Sequence, residues 1–153
     1  MNVNFKLLPE AVWIADAGDK REILALLAAR FAQVYRVDGA AVLEGLEERE
    51  ALGSTGFGRG VALPHARIEK LKRPVAALLR LESPVDFAAA DAMPVDLVIG
   101  LLSPVGAGVG HLHALAAISR LVRDDEMHRA MTEAGDAETL YALLTNATDR
   151  DAA

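Results

Sequence analysis

The sequence predicts an α/β protein, a three-layer sandwich with one mixed β-sheet flanked by helices, on three observations. Residues 19–36 place Ile23, Leu26, Leu27, Arg30, Phe31 and Val34 at the 3–4 residue spacing of an amphipathic helix, with charges between them. Residues 75–81 (VAALLRL) and 95–102 (VDLVIGLL) are apolar runs of strand length bounded by Pro74, Pro84, Pro94 and Pro104. Residues 111–122 return to helical spacing, with Leu112, Leu115, Ala116 and Ile118 or Ser119 along one face. Helices before, between and after buried strands are the signature of a sheet covered on both sides.

The intervening segments follow in order. Asp38 is the expected N-cap of a second helix running to Ala51 or Leu52, with Gly53 at C′ and Val42 and Leu46 on its inner face. The run Glu47-Glu48-Arg49-Glu50 reads as a solvated face. Residues 53–60 (GSTGFGRG) form a glycine-rich segment leading into the short apolar piece 61–63, which Pro64 ends. Residues 82–93 read as an irregular connection, and 104–110 (PVGAGVG) as a second glycine-rich loop. Two short helices are expected near 126–134 and 137–145, and a loose tail from about 146 to 153. The whole of residues 1–153 is read as a single domain. Strand order is not set by these patterns.

Composition removes several classes of function. Hydrophobic residues make up 52% of the 153, enough for a core. No apolar run approaches the roughly 20 residues of a membrane span, and the first residues lack the basic and apolar regions of a secretory signal, so membrane insertion is not expected. There are no cysteines, hence no disulfides, thiolate metal sites or thiol nucleophiles; the expected compartment is the cytoplasm. A net charge of −6 argues against nucleic acid. Only residues 67–73 (RIEKLKR) are locally basic, a rim that could steer an acidic partner.

Among the four histidines, His65 follows a short strand and a proline, so it is expected at a strand end, where rigid scaffolds often carry reactive groups. His111 is delivered by the second glycine-rich loop to the start of a helix, where unpaired N–H groups attract anions. His113 lies about 200° further round the helix and points away from it. His128, among Asp124, Asp125, Glu126 and Arg129, reads as surface. Neither glycine-rich loop fits a P-loop or GxGxxG pattern, and His111-x-His113 lies on a helix with no HExxH, so neither nucleotide nor metal is expected. No GxSxG surrounds Ser54, so a serine hydrolase is not expected. Ser54 and Thr55 are candidate hydroxyl donors to an anion, and Arg49 a candidate fork for a phosphoryl group.

Residues 49–67, REALGSTGFGRGVALPHAR, strongly resemble the fructose/mannitol-type EIIA domain of the bacterial phosphotransferase system. The resemblance continues through PVDLVIGLLSP at 94–104 and HLHALAAISRLVRDDEM at 111–127, so it covers nearly the whole chain. Carrying no transporter segment, the chain is most similar to the nitrogen-regulatory subgroup. The resemblance implies that His65 is the phosphorylated nucleophile, and that His111 and Arg49 stabilise the phosphoryl charge. Ser54, Thr55, Gly58 and Gly60 would line the phosphoryl site, with no cofactor. The implied donor is an HPr-type phosphocarrier protein. The implied acceptors are regulatory target proteins or, alternatively, a sugar permease. A non-catalytic binding module is a third reading, disfavoured by retention of His65, His111 and Arg49 together. Ala66 stands where many members have glycine, and Arg59 where a small polar residue is frequent.

Overall fold

The structure, a computed structural model, describes residues 4–152. A short 3-10 turn (Pro9–Ala11) leads into β1 (Val12–Ala15), then α1 (Lys20–Tyr35) and α2 (Gly39–Ala51). The strands β2 (Gly56–Gly58), β3 (Val61–Ala62), β4 (His65–Ile68), β5 (Val75–Val85) and β6 (Val95–Pro104) follow, then α3 (Gly108–Arg123), α4 (Asp125–Glu133) and α5 (Ala137–Ala152).

The helices begin where the sequence supplies caps. Asp19 accepts from the Glu22 amide at 2.8 Å, and Asp38 from the Ala40 and Ala41 amides at 3.0 and 3.3 Å. Each such cap contributes about 1 kcal/mol. Asp124 does the same for α4. At the far end of α4, Arg80 donates to the carbonyls of Met131, Thr132 and Ala134, anchoring that terminus to the sheet.

The sheet runs β1-β5-β6-β3-β2, with β4 also on β6. It is mixed: β1 is parallel to β5, β3 and β4 are parallel to β6, and β5–β6 and β2–β3 are antiparallel. Period-two alternation sorts its side chains between two cores. Ala77, Leu79, Leu81, Val98 and Leu102 pack under α1 and α2 with Leu27, Phe31, Val42 and Leu46. Ala76, Leu78, Leu97, Ile99 and Leu101 pack under α3–α5 with Ile118, Leu121, Met131 and Leu140. Each fully buried Leu, Ile or Phe contributes roughly 1.5–3 kcal/mol against exposure.

Five details depart from the sequence expectations. Strand β1 was not anticipated; its four residues are too few to show a period. Strand β5 continues through Glu82–Val85, part of the expected irregular connection. Helix α3 starts three residues earlier than expected, and its buried face is His111, Ala114, Ala117, Ile118, Leu121 and Val122, leaving Leu112 and Ala116 exposed. Helix α5 runs on to Ala152 through most of the expected tail, and Ala153 lies outside the described residues. Finally, Pro64 interrupts a strand without ending it. Val61 lies opposite Leu97 and His65 opposite Leu101, so β3 and β4 continue in one register along β6. The Pro64 carbonyl still accepts from the Leu101 amide at 3.0 Å. His65 is therefore the first residue of a resumed strand rather than the last of an ending one. The missing proline N–H is tolerated because β4 has no strand partner on its other edge among the described residues.

Candidate functional site

Odd-numbered residues of β3 and β4 face the α3 layer, as Val61 and Leu63 show by their burial there, and the same alternation turns His65 and Arg67 that way. Across the ladder, Ser103 on β6 faces the same side. The turn after β6 then feeds directly into α3, placing His111 in the helix's first turns above that strand end. The rings of His65 and His111 stand 5.5 Å apart between centroids. Gly45, Glu48, Arg49, Leu52, His65, Ala66, Arg67 and His111 line an open hollow of about 380 Å³. Residues 16 and 46 positions from one another in the chain thus meet at one sheet edge.

Hydrogen bonds settle the state of His65. Its Nδ1 lies 2.8 Å from the Leu63 carbonyl oxygen, which can only accept, so Nδ1 carries the proton. Its Nε2 accepts from Arg49 Nε at 3.2 Å and so presents the lone pair. Burial lowers the His65 pKa below the usual histidine range, and the Arg49 and Arg67 charges lower it further against the pull of the Leu63 carbonyl and Glu50. Neutral imidazole with a lone pair at Nε2 is a nucleophile near pH 7.

His111 is only 5% exposed and Nδ1 of its ring lies 2.6 Å from Ser103 Oγ. Burial first, then electrostatic coupling to the neighbouring His65 ring and to Arg67, pushes its pKa down to about 4. A group whose folded pKa lies below its unfolded value binds fewer protons when folded, so stability falls as pH drops below the unfolded value. For His111 the window runs from about 6.5 down to about 4. Across it, wild type is expected to lose more stability than His111→Gln, by at most on the order of 3 kcal/mol. Urea midpoints at pH 7 and pH 4.5 measure this. An equal loss in both proteins would contradict a buried neutral ring.

Arg49 is held as well as holding. Its Nη1 donates to the Gly53 carbonyl at 2.9 Å, so the first glycine-rich segment folds back onto the end of α2. Ser54 and Thr55 secure that fold. Ser54 Oγ donates to the Phe87 carbonyl at 2.8 Å and accepts from the Gly56 amide. Thr55 gives both its amide and its hydroxyl to the Glu50 carboxylate. Glu50 is 6% exposed in its side chain and also pairs with Lys20 Nζ at 2.8 Å. The hydroxyls expected to meet an anion are thus engaged with the protein itself, acting through the loop that orients Arg49.

Gly58 and Gly60 lie further off. They flank Arg59 in the β2–β3 turn, where three successive residues take φ of 114°, 60° and 82°. Hairpin turns of this hand demand positive φ, which is what the glycines supply. Gly60 precedes His65 by five residues, about 16 Å of extended chain, and a Cβ there would meet Asp96 and His128. The structure therefore brings together Arg49, His65 and His111, and places Ser54, Thr55, Gly58 and Gly60 in supporting roles. His113 is exposed. His128, expected at the surface, is half-buried with Nε2 3.5 Å from Asp96 Oδ1. Three contributors were missed. Glu50 sits in a charge run that local pattern cannot distinguish from a solvated face, and the Leu63 carbonyl leaves no trace in side-chain chemistry. Ser103 had a signal, a lone polar residue at the end of an apolar run.

An open mixed sheet between two helical layers, with an imidazole lone pair held beside an arginine and a second histidine at an open hollow, is an arrangement suited to a domain that carries a transferred group. The chain belongs to the phosphoenolpyruvate-dependent sugar phosphotransferase system EIIA 2 family, whose profile matches residues 7–147, and is a phosphoryl-carrier component of that kind. It is 41% identical over 145 residues to the nitrogen regulatory protein of Bradyrhizobium diazoefficiens, covering 94% of this chain and 95% of that one. It is 34% identical over 107 residues to the fructose-specific EIIA component of Haloferax volcanii, covering 70% of each. The crystal structure of nitrogen regulatory protein IIA-Ntr from Neisseria meningitidis superposes with a TM-score of 0.82 at 31% identity, covering 90% of this chain and 95% of that one. No helix among the described residues is long and apolar enough to cross a membrane.

Proposed function

We propose that His65 Nε2 accepts a phosphoryl group from the phosphohistidine of an HPr-type carrier protein, and that the phosphorylated chain regulates target proteins in nitrogen-related physiology. One observation carries the chemical part: the Leu63 carbonyl fixes the His65 proton on Nδ1 and leaves the Nε2 lone pair facing the hollow beside Arg49. In the transfer the Nε2 lone pair forms a new N–P bond as the donor's N–P bond breaks in line, and the donor nitrogen keeps the departing electron pair. The ring gains positive character, which the Nδ1–H···O=C bond to Leu63 disperses. Arg49 releases Nε2 and turns its donors to the phosphoryl oxygens, with His111 on the other side. The bond made is of the same kind as the bond broken, so positioning supplies most of the catalysis.

The regulatory part rests on the nitrogen regulatory protein of Bradyrhizobium diazoefficiens, which matches at higher identity and over more of the chain than the fructose-specific component of Haloferax volcanii. Leu52 lines the hollow and is 86% exposed, and Val109 and Leu112, which flank His111 in the chain, are exposed as well, apolar surface suited to a protein partner. Arrival of nearly two negative charges beside that surface would make some contacts and repel others.

The test is incubation with phosphoenolpyruvate, the system's first enzyme and an HPr-type donor. Intact-mass spectrometry is expected to show one added phosphoryl group, lost on acid treatment, and peptide mapping to place it on His65. No gain, an acid-stable gain or a different site would end the assignment. Efficient onward transfer to a sugar permease's EIIB domain would favour the transport reading over the regulatory one.

A further inference from the structure

We propose that Ser103 is a positioning residue for the phosphoryl site: its hydroxyl donates to Nδ1 of His111 and holds the ring in the tautomer that carries its proton on Nε2, as a donor into the hollow. Ser103 ends the apolar run of β6, is fully buried and faces α3. Among the described residues its hydroxyl meets one polar partner, His111 Nδ1 at 2.6 Å.

Two arrangements of protons are open to this pair. If His111 carried its proton on Nδ1 and gave it to Ser103, the hydroxyl hydrogen would be buried with no acceptor, and Nε2 would offer the hollow a second lone pair. If Ser103 donates to Nδ1, the buried hydroxyl hydrogen is satisfied, and the ring proton must sit on Nε2. Only the second arrangement makes His111 a donor to the site. It also makes the two histidines opposites. His65 is protonated on Nδ1 and nucleophilic at Nε2. His111 is protonated on Nε2 and can donate to a phosphoryl oxygen as charge gathers there. The low pKa of His111 makes the tautomer matter, because a neutral ring has one proton to place whereas a charged ring would donate from both nitrogens.

The kinetic side of this inference rests on the reading of His65 as phosphoryl acceptor, while the tautomer does not. Two-bond proton–nitrogen correlation spectra of the 15N-labelled full chain at pH 7 read the tautomer directly. Wild type is expected to show His111 protonated on Nε2 with a hydrogen-bonded, unprotonated Nδ1, and Ser103→Ala to shift Nδ1 toward its unbonded position. A wild-type proton on Nδ1 would overturn the proposal. Ser103→Thr and Ser103→Val are a matched pair that differ in a hydroxyl for a methyl at equal size. Transfer from the HPr-type donor is expected to be on the order of 10-fold slower in the Val variant than in the Thr variant, through the maximal rate rather than donor affinity. Equal rates for the two would overturn the positioning role. Should wild type accept no phosphoryl group at all, the functional reading fails on its own, and the spectra still decide the tautomer.

Discussion

Replacing His65 by alanine is expected to abolish phosphoryl acceptance, lowering the rate by at least about 10³-fold while leaving the fold intact. The fold survives because the imidazole is half-buried at a strand edge and its one inward bond goes to Leu63, two residues back in its own chain. Pro64, Ala66 and Ile68 keep β4 in register without it. Chemistry does not survive, because no neighbour can take over. His111 is neutral too, yet its Nδ1 is tied to Ser103 deep in the α3 layer and the ring is almost fully enclosed, so in-line approach of a carrier protein is blocked. Arg49, deprived of its partner, remains a cation with no nucleophile to serve. Phosphoryl incorporation followed by intact mass, alongside thermal melts of both proteins, checks the result. Equal labelling of wild type and variant would remove His65 from the mechanism.

Gly100→Val is expected to lower stability by about 3 kcal/mol or more, with a drop in Tm of roughly 10 °C, and to reduce folded yield. Gly100 lies mid-strand in β6, opposite Ala77, under α1. A Cβ at that position would meet Phe31 Cε2 at 2.9 Å, Phe31 Cζ at 3.1 Å and Leu27 Cδ2 at 3.2 Å. Both side chains are fully buried and neither has space to retreat. Valine adds two further methyl groups to that collision, so α1 must lift from the sheet or β6 must bend. The damage is to packing, so the hydrogen bonds of the site should persist in whatever fraction stays folded. Denaturant melts of Gly100→Ala and Gly100→Val give the graded test; a Val variant as stable as wild type would mean that α1 does not seat its aromatic ring on that glycine.

Much of this architecture could be read from local pattern. Helical spacing in α1, the Asp38 cap of α2 and the proline-bounded runs of β5 and β6 each declare themselves within a dozen residues, because periodicity and capping are short-range physics. The inner face of α3 was misread for a related reason. Leu112 and Ala116 look like core on a helical wheel, but the sheet accepts the stripe beginning at His111, and what covers a helix is decided by elements distant in sequence. The glycine-rich segment shows the same division. Its glycines announced unusual backbone conformation, and Gly53, Gly58 and Gly60 have it. Whether that conformation cradles an anion or turns a hairpin depends on where the neighbouring strands lie.

The amino-acid sequence by itself determined the five α-helices and the strands β3, β5 and β6, and singled out the three side chains, Arg49, His65 and His111, that the fold brings to one hollow. Tertiary structure decided what each of them is. The proton on His65 Nδ1, the neutrality of His111 and the diversion of the Ser54 and Thr55 hydroxyls into the Arg49 loop all come from hydrogen bonds and burial. The partners there are fixed by strand register and helix docking. Residue type sets which atoms can donate or accept, but only packing in three dimensions chooses their partners and takes the water away.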